Sequence, residues 1–172
     1  MRVPVRILFV APVALLMAQD QTVPIENEYV RVVSVVGQPH KVSAAHQHDQ
    51  NRVMIYFDSG DIVLRYADGK VENQHWKPGD IAWSPAGGTH TSENVSDRPL
   101  HIVEIELRKS GSGAEAPPDR TRAVIDNSQV RVYQGSNPPQ GKNYVAVNMK
   151  TGAAAWNELP KGPGPFVIVE LK

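Results

Sequence analysis

Cysteine is absent from all 172 residues. Disulfides, thiolate nucleophiles, cysteine zinc fingers and iron–sulfur clusters are excluded with it, so any metal this chain holds must be held by His, Asp or Glu. An excess of either charge is also missing: 18 Lys and Arg balance 18 Asp and Glu, for a formal net charge of zero. A nucleic-acid binder needs a basic surplus to displace counterions, which argues against that class of partner. No apolar run reaches the roughly 20 residues that a membrane-spanning helix needs. No segment carries a convincing amphipathic helical period. Neither a serine triad, nor a phosphate-binding glycine loop, nor a pair of catalytic acids stands out.

The residues that are present describe a turn-rich β chain. There are 14 Pro, 13 Gly and six His, with 41% hydrophobic and 21% charged residues, enough apolar content to bury a core. At the start, Arg2 and Arg6 precede an apolar stretch from Ile7 to Ala18, and the polar Gln19-Asp20-Gln21 follows. This is the layout of a secretory signal peptide, placed at residues 1–20, and it implies a periplasmic or secreted protein with no membrane contact in its mature form. The competing reading is a first strand or helix of the fold.

From Val30 onward the pattern is strand-like. Val30–Val36 is β-branched and ends at Gly37; Val53–Phe57 ends at Asp58-Ser59-Gly60-Asp61; Ile62–Tyr66 runs into the hairpin signal Asp68-Gly69. Val71–Trp76 leads to Lys77-Pro78-Gly79-Asp80, Ile81–Trp83 is broken by Pro85-Ala86-Gly87-Gly88, and Leu100–Leu107 is a long strand. Strands joined by tight turns predict an antiparallel sandwich or barrel. Residues 21–109 form the first unit, and Ser110–Asp119 reads as a linker. Residues 120–172 then start again: Ile25-Glu26-Asn27 and Val30-Arg31-Val32 return as Ile125-Asp126-Asn127 and Val130-Arg131-Val132, and Ile102–Arg108 rhymes with Phe166–Lys172. This is a two-copy internal repeat with a shortened second copy. The second copy has no histidine, so its expected role is to cover an open face of the first or to form a subunit interface.

Two segments carry chemistry. His46-Gln47-His48 places two imidazoles on one face of a strand, close enough to share a metal ion. Gly79–Asn94 brings a third, His90, just after a turn made tight by Pro85 and Gly87. Here the chain resembles the cupin family. The second cupin motif is matched at Gly79, Pro85, Gly87, His90 and Asn94, and the first at His46, His48 and Gly60. The resemblance implies an all-β double-stranded β-helix, an antiparallel jelly-roll barrel with a metal inside one end, on which the truncated second repeat packs. It also implies association as a homodimer.

The departure from the family pattern is at the usual fourth ligand, a glutamate four or five positions after the second His; those positions hold Arg52 and Val53. The chain therefore resembles the three-histidine branch, which includes thiol dioxygenases and a diketone-cleaving dioxygenase. Its metal ligands are expected to be His46, His48 and His90, holding Fe, Zn, Ni or Mn. Three neutral imidazoles leave a divalent ion its full charge, so the site is expected to prefer an anionic or enolisable ligand. In strand phase, Arg52, Met54 and Tyr56 share the face of the two histidines. Arg52 is expected to bind a ligand carboxylate beside the metal, its alternative being a rim pairing with Asp49 or Asp58. Tyr56 is a candidate on the same wall. His101 is a candidate proton shuttle at the cavity, or else a core histidine. Glu104 and Glu106 alternate out of its face and are expected to be solvated or at an interface. Asn94 is expected to fix the loop around His90, and Trp76 and Trp83 to pack the sheets. The functions left open are a metal-dependent enzyme of the dioxygenase kind, a non-catalytic small-ligand module and a structural barrel without turnover.

Overall fold

A computed structural model describes residues 19–109, 123–141 and 143–172. The leader stretch Met1–Ala18 and the linker Ser110–Asp119 lie outside the described residues. In chain order the strands are β1 (Gln19–Glu26), β2 (Val30–Gly37), β3 (His46–His48), β4 (Arg52–Tyr56), β5 (Gly60–Tyr66), β6 (Val71–Trp76) and β7 (Ile81–Ser84). They continue with β8 (Gly87–Asn94), β9 (Leu100–Leu107), β10 (Ile125–Asp126), β11 (Val130–Gln134), β12 (Tyr144–Asn148), β13 (Ala154–Trp156) and β14 (Phe166–Leu171).

Turn chemistry accounts for the hairpins. Between β5 and β6, Gly69 takes φ +90° and the Asp68 carboxylate accepts from the Lys70 amide at 3.0 Å. Between β6 and β7, Gly79 takes φ +89° and Asp80 accepts from the Lys77 amide at 2.8 Å. Every strand pair is antiparallel, and the strands fall into three sheets. The first has the order β1-β2-β9-β4-β7, the second β3-β8-β5-β6, and the third β10-β11-β14-β12-β13. The first and second sheets are the two layers of a jelly roll, and the space between them holds the candidate site.

The third sheet repeats the first. Its strand order is the same when β10, β11, β14, β12 and β13 are set against β1, β2, β9, β4 and β7. The opening turn is repeated atom for atom: Asn27 accepts from the amides of Tyr29 and Val30, and Asn127 from those of Gln129 and Val130. The cross-strand pair Arg31 and Glu106 reappears as Arg131 and Glu170. Among the described residues, the second copy has no counterpart of the four-stranded sheet. Val32, Ile55 and Ile105 of the first sheet form one buried cluster with Val132, Val147 and Val169 of the third. Each such side chain contributes about 1.5–3 kcal/mol by leaving water. The first sheet is thus covered on both faces, which is why β4 is buried at all five positions.

Two boundaries differ from the sequence expectation. β1 begins at Gln19, inside the residues assigned to a signal peptide ending at 20, and the polar Gln19-Asp20-Gln21-Thr22 gave no strand signal. Its polar first half is held at the sheet edge by backbone pairing to β2, and Ile25 near its end packs against the core. β8 begins at Gly87 rather than near His90. Gly87 and Gly88, at φ +138° and +51°, lie within the strand instead of ending the turn.

Candidate metal centre

The three histidines named from the sequence are neighbours. β3 and β8 pair so that His46 faces His90 and His48 faces Gly87, with a bulge between them. Ring centroids are 4.8 Å apart for His46 and His48, 4.7 Å for His46 and His90, and 5.4 Å for His48 and His90. One nitrogen of each lies within 4.8 Å of the other two. His46 Nδ1 lies 2.9 Å from the Ala44 carbonyl oxygen and His90 Nδ1 lies 3.0 Å from that of Gly88. A carbonyl oxygen only accepts, so both Nδ1 atoms carry a proton, which in a neutral ring leaves Nε2 with a free lone pair. Outer hydrogen bonds of this kind orient imidazole ligands. Burial, followed by the charge of Arg52 and the neighbouring imidazoles, lowers the His48 pKa to about 3. Burial also lowers that of His90, against the opposing hydrogen bond to Gly88. Neutral rings are the state a metal requires. The donor set fits a divalent transition metal, and a cation there would be held by His46, His48 and His90.

Arg52 lies at this cluster but is not free to take a ligand carboxylate. Its Nη1 donates to Glu104 Oε2 at 2.9 Å and meets His48 Nε2 at 2.8 Å, and its Nη2 donates to Ser84 Oγ at 2.8 Å. Only 7% of its side chain is exposed. The anion beside the guanidinium is therefore the protein's own Glu104. This replaces the expected bridging ligand, and it also replaces the alternative pairing with Asp49 or Asp58. Glu104 and Glu106 are correspondingly not solvated on an outer face. Glu104 lines the cavity, and Glu106 takes the Arg31 guanidinium at 3.1 Å. His48, Glu104 and Glu106 also bring ligand atoms within 4.8 Å of one another. Both of those carboxylates already hold a guanidinium, however, so the three-histidine group is the better cation site.

Behind the histidines is a cavity of about 480 Å³ between the first two sheets. Arg52, Ser84 and Glu104 lie at its histidine end; Met54, Tyr56, Ile62, Trp76, Leu100 and Ile102 supply apolar wall, and Lys41, Lys70, Glu72 and Gln74 also line it. Tyr56 thus lies on the expected wall. Its ring stacks on Trp76 at 3.9 Å and 10°, and burial raises its pKa. Trp83 also reaches the cavity lining. Asn94 has the expected loop role: its amide donates to the carbonyls of Gly37 and Arg98.

His101 does not reach the cavity. In β9, residues 100, 102 and 104 face the histidine side, while His101 shares the phase of Val103 and Ile105, which face the third sheet. Its ring stacks on Phe57, its Nε2 is 2.8 Å from Ser34 Oγ, and burial lowers its pKa. The core reading of this residue replaces that of a proton shuttle. The acid missed from the sequence, Glu104, had an available signal: its phase matches that of Leu100 and Ile102.

Residues 33–106 match the cupin domain family. No curated protein matches the chain. A cupin domain from Bordetella pertussis Tohama I is 27% identical, with a TM-score of 0.51 over 54% of this chain and 96% of that one. A Klebsiella pneumoniae protein with a double-stranded β-helix domain is 24% identical, with a TM-score of 0.43 over 52% of this chain and 76% of its own. An RmlC-like cupin family protein from Methanocaldococcus jannaschii is 17% identical, with a TM-score of 0.44 over 52% and 79%. Residues 33–106 therefore form a cupin-fold domain, with a candidate His/Glu metal cluster at one end of its cavity.

Proposed function

We propose that this protein is a metal-dependent enzyme of the dioxygenase kind acting on a small anionic or enolisable compound. The observation that carries the reading is the convergence of three imidazoles at one end of the cavity between the first two sheets. A divalent metal, when bound, supplies a Lewis acid with open positions for ligands. The chain's own residues supply the rest. His46, His48 and His90 hold the ion. Glu104 has one carboxylate oxygen on Arg52, and its Oε1 has no hydrogen-bond donor among the described residues, so it is placed to accept a proton from a bound ligand. Ser84 anchors Arg52, which keeps that carboxylate in position.

Elemental analysis of protein purified without chelators or metal-affinity resin tests the first step. Near-stoichiometric Fe, Zn, Ni or Mn that is lost in His90→Ala supports it, and metal-free protein that takes up none sinks it. Oxygen uptake with 2,4-pentanedione as an enolisable probe tests the second; bound metal without turnover on any such probe would favour a binding module. Export belongs to the same reading, and a mature N-terminus beginning near Gln19 would support it. So does a homodimer. Since the third sheet covers the back of the first, a partner must meet the sheet edges or the outer face of the four-stranded sheet. Light scattering should return about twice the 18.9 kDa chain mass or slightly less after leader removal.

A further inference from the structure

A second cavity, of about 570 Å³, meets the same histidines. Its walls come from β1, β2, β9 and residues 43–48, and include Asp20, Gln21, Arg31, Ser43, Gln47 and Glu106. His46, His48 and Glu104 line both cavities, so the imidazole cluster belongs to the wall they share. Arg52 lines the first cavity alone.

The two cavities differ in charge. In the first, Glu104 takes Arg52 and Glu72 takes Lys70, while the Lys41 ammonium has no ion pair among the described residues. In the second, Glu106 takes Arg31, while the Asp20 carboxylate accepts from the Gln38 amide and has no ion pair among the described residues. A cation approaching through the first cavity meets Lys41 and then Arg52. Through the second it meets Asp20 and then the carboxylates of Glu106 and Glu104, and a cleft of the opposite sign concentrates an ion and speeds its arrival. His48, Glu104 and Glu106, whose ligand atoms lie within 4.8 Å of one another, all line this second cavity. That group shares His48 with the three-histidine cluster, so donors continue along the approach. The guanidiniums on both carboxylates weaken it as a resting place.

We propose that the second cavity is the route by which a divalent cation reaches the three histidines, separate from the first cavity, which is left to the ligand. The inference rests on the metal reading above for the ion's destination and goes beyond it in assigning the path.

The test is stopped-flow uptake of zinc by the full metal-free chain, and release of zinc into excess chromophoric chelator. Gln21→Trp places a large side chain in the second cavity from an exposed position on the edge strand β1, and Gln74→Trp does the same in the first. A route carries traffic both ways, so narrowing it slows uptake and release by one factor and leaves the affinity as it was. Gln21→Trp should slow both by about tenfold, with Kd within about twofold. Gln74→Trp should change neither rate. Asp20→Lys, a second variant at the exposed edge, should slow uptake several-fold at low ionic strength, and high salt should close the difference. Slower uptake in Gln74→Trp with Gln21→Trp unaffected overturns the inference by assigning the path to the first cavity. So does a weaker affinity in Gln21→Trp without slower exchange, which would make the residue part of the site and not of the approach. A protein that binds zinc at rates indifferent to Gln21→Trp and Asp20→Lys overturns this inference alone. A protein that takes up no zinc overturns the metal reading as well.

Discussion

Arg52 does not bond its own cross-strand neighbour. In the register of β4 and β9 it faces Glu106, yet its Nη1 bonds Glu104 at 2.9 Å and leaves Glu106 to Arg31 at 3.1 Å. The side chains of Arg52 and Glu104 are 7% and 14% exposed, so the pair is screened little by solvent. Removing one member leaves a buried charge uncompensated, which costs about 3–5 kcal/mol. Glu104→Leu should therefore lower unfolding stability by about that amount in urea titration. The double variant Arg52→Met with Glu104→Leu should recover most of the loss. Equal stability of the single and double variants would show that the pair is not the cause.

The same guanidinium opposes metal binding. Arg52 Nη1 sits on the His48 Nε2 lone pair at 2.8 Å, and its positive charge adds to that of any cation at the three rings. Arg52→Met frees that nitrogen and releases Glu104 to face the cation. Zinc affinity, measured by competition with a chromophoric chelator, should rise by about tenfold or more. Arg52→Lys, which keeps the charge but not the fork, should bring a smaller change. An affinity that falls in Arg52→Met would mean that Arg52 supports the ion instead of competing with it.

Acid should weaken the metal-free protein through the same rings. Burial and neighbouring charges lower the His48 pKa from 6.5 to about 3, and burial lowers that of His90. A depressed histidine leaves the folded state neutral where the unfolded chain is already protonated. The unfolded state then binds more protons, and stability falls as pH drops below about 6.5 toward the folded pKa. In chelator-treated protein the melting temperature should decline from pH 7 to pH 4. The decline should be shallower in His48→Gln, which removes one of the titrating rings. A parallel decline in the two proteins would assign the acid sensitivity to other groups.

The histidine triad was legible in the sequence because its signals are local. His46-Gln47-His48 needs only strand alternation, and the Gly79–His90 stretch needs only a tight turn, so neither depends on the rest of the fold. The orientation of β9 was not legible for a physical reason. Leu100 and Ile102 are apolar on one face, Val103 and Ile105 on the other, and a sheet sandwiched between two layers buries both. Period-two alternation then cannot say which face meets the site, so His101 and Glu104 exchanged places. β1 escaped notice for the opposite reason: Gln19-Asp20-Gln21-Thr22 has no apolar pattern, and pairing to β2 makes that stretch a strand. The repeat of Ile25–Val32 at Ile125–Val132 was visible. That it preserves one whole sheet in the same strand order, without a second described layer, required the structure.

His101 should behave as a packing residue. A Cβ on Gly152 would lie 2.6 Å from His101 Cε1, and Gly152 itself takes φ +71°. Gly152→Ala therefore meets both a clash and backbone strain, and should cost more than about 1 kcal/mol. His101→Gln should lower the melting temperature through loss of the Phe57 stack while leaving zinc affinity within about twofold, since the ring is remote from the imidazole cluster. A large loss of zinc affinity in His101→Gln, with the fold intact by circular dichroism, would return this residue to the site.

The contact between the first and third sheets should be the main determinant of stability, because the shortened copy has no second described layer of its own to hold it. Ile105 is fully buried and belongs to the cluster that joins the two sheets. Ile105→Ala removes three carbons and leaves a cavity that paired strands cannot collapse, at a cost of about 2–5 kcal/mol. Val169→Ala, on the facing sheet, removes less and should cost less. If the two sheets unfold as one unit, both variants should shift a single transition followed by Trp83 and Trp156 fluorescence. If the third sheet detaches first, Val169→Ala should split the transition, with Trp156 on β13 reporting the earlier step. A split already present in the unaltered protein would show that the interface adds little, and that the cupin barrel stands without its half-copy.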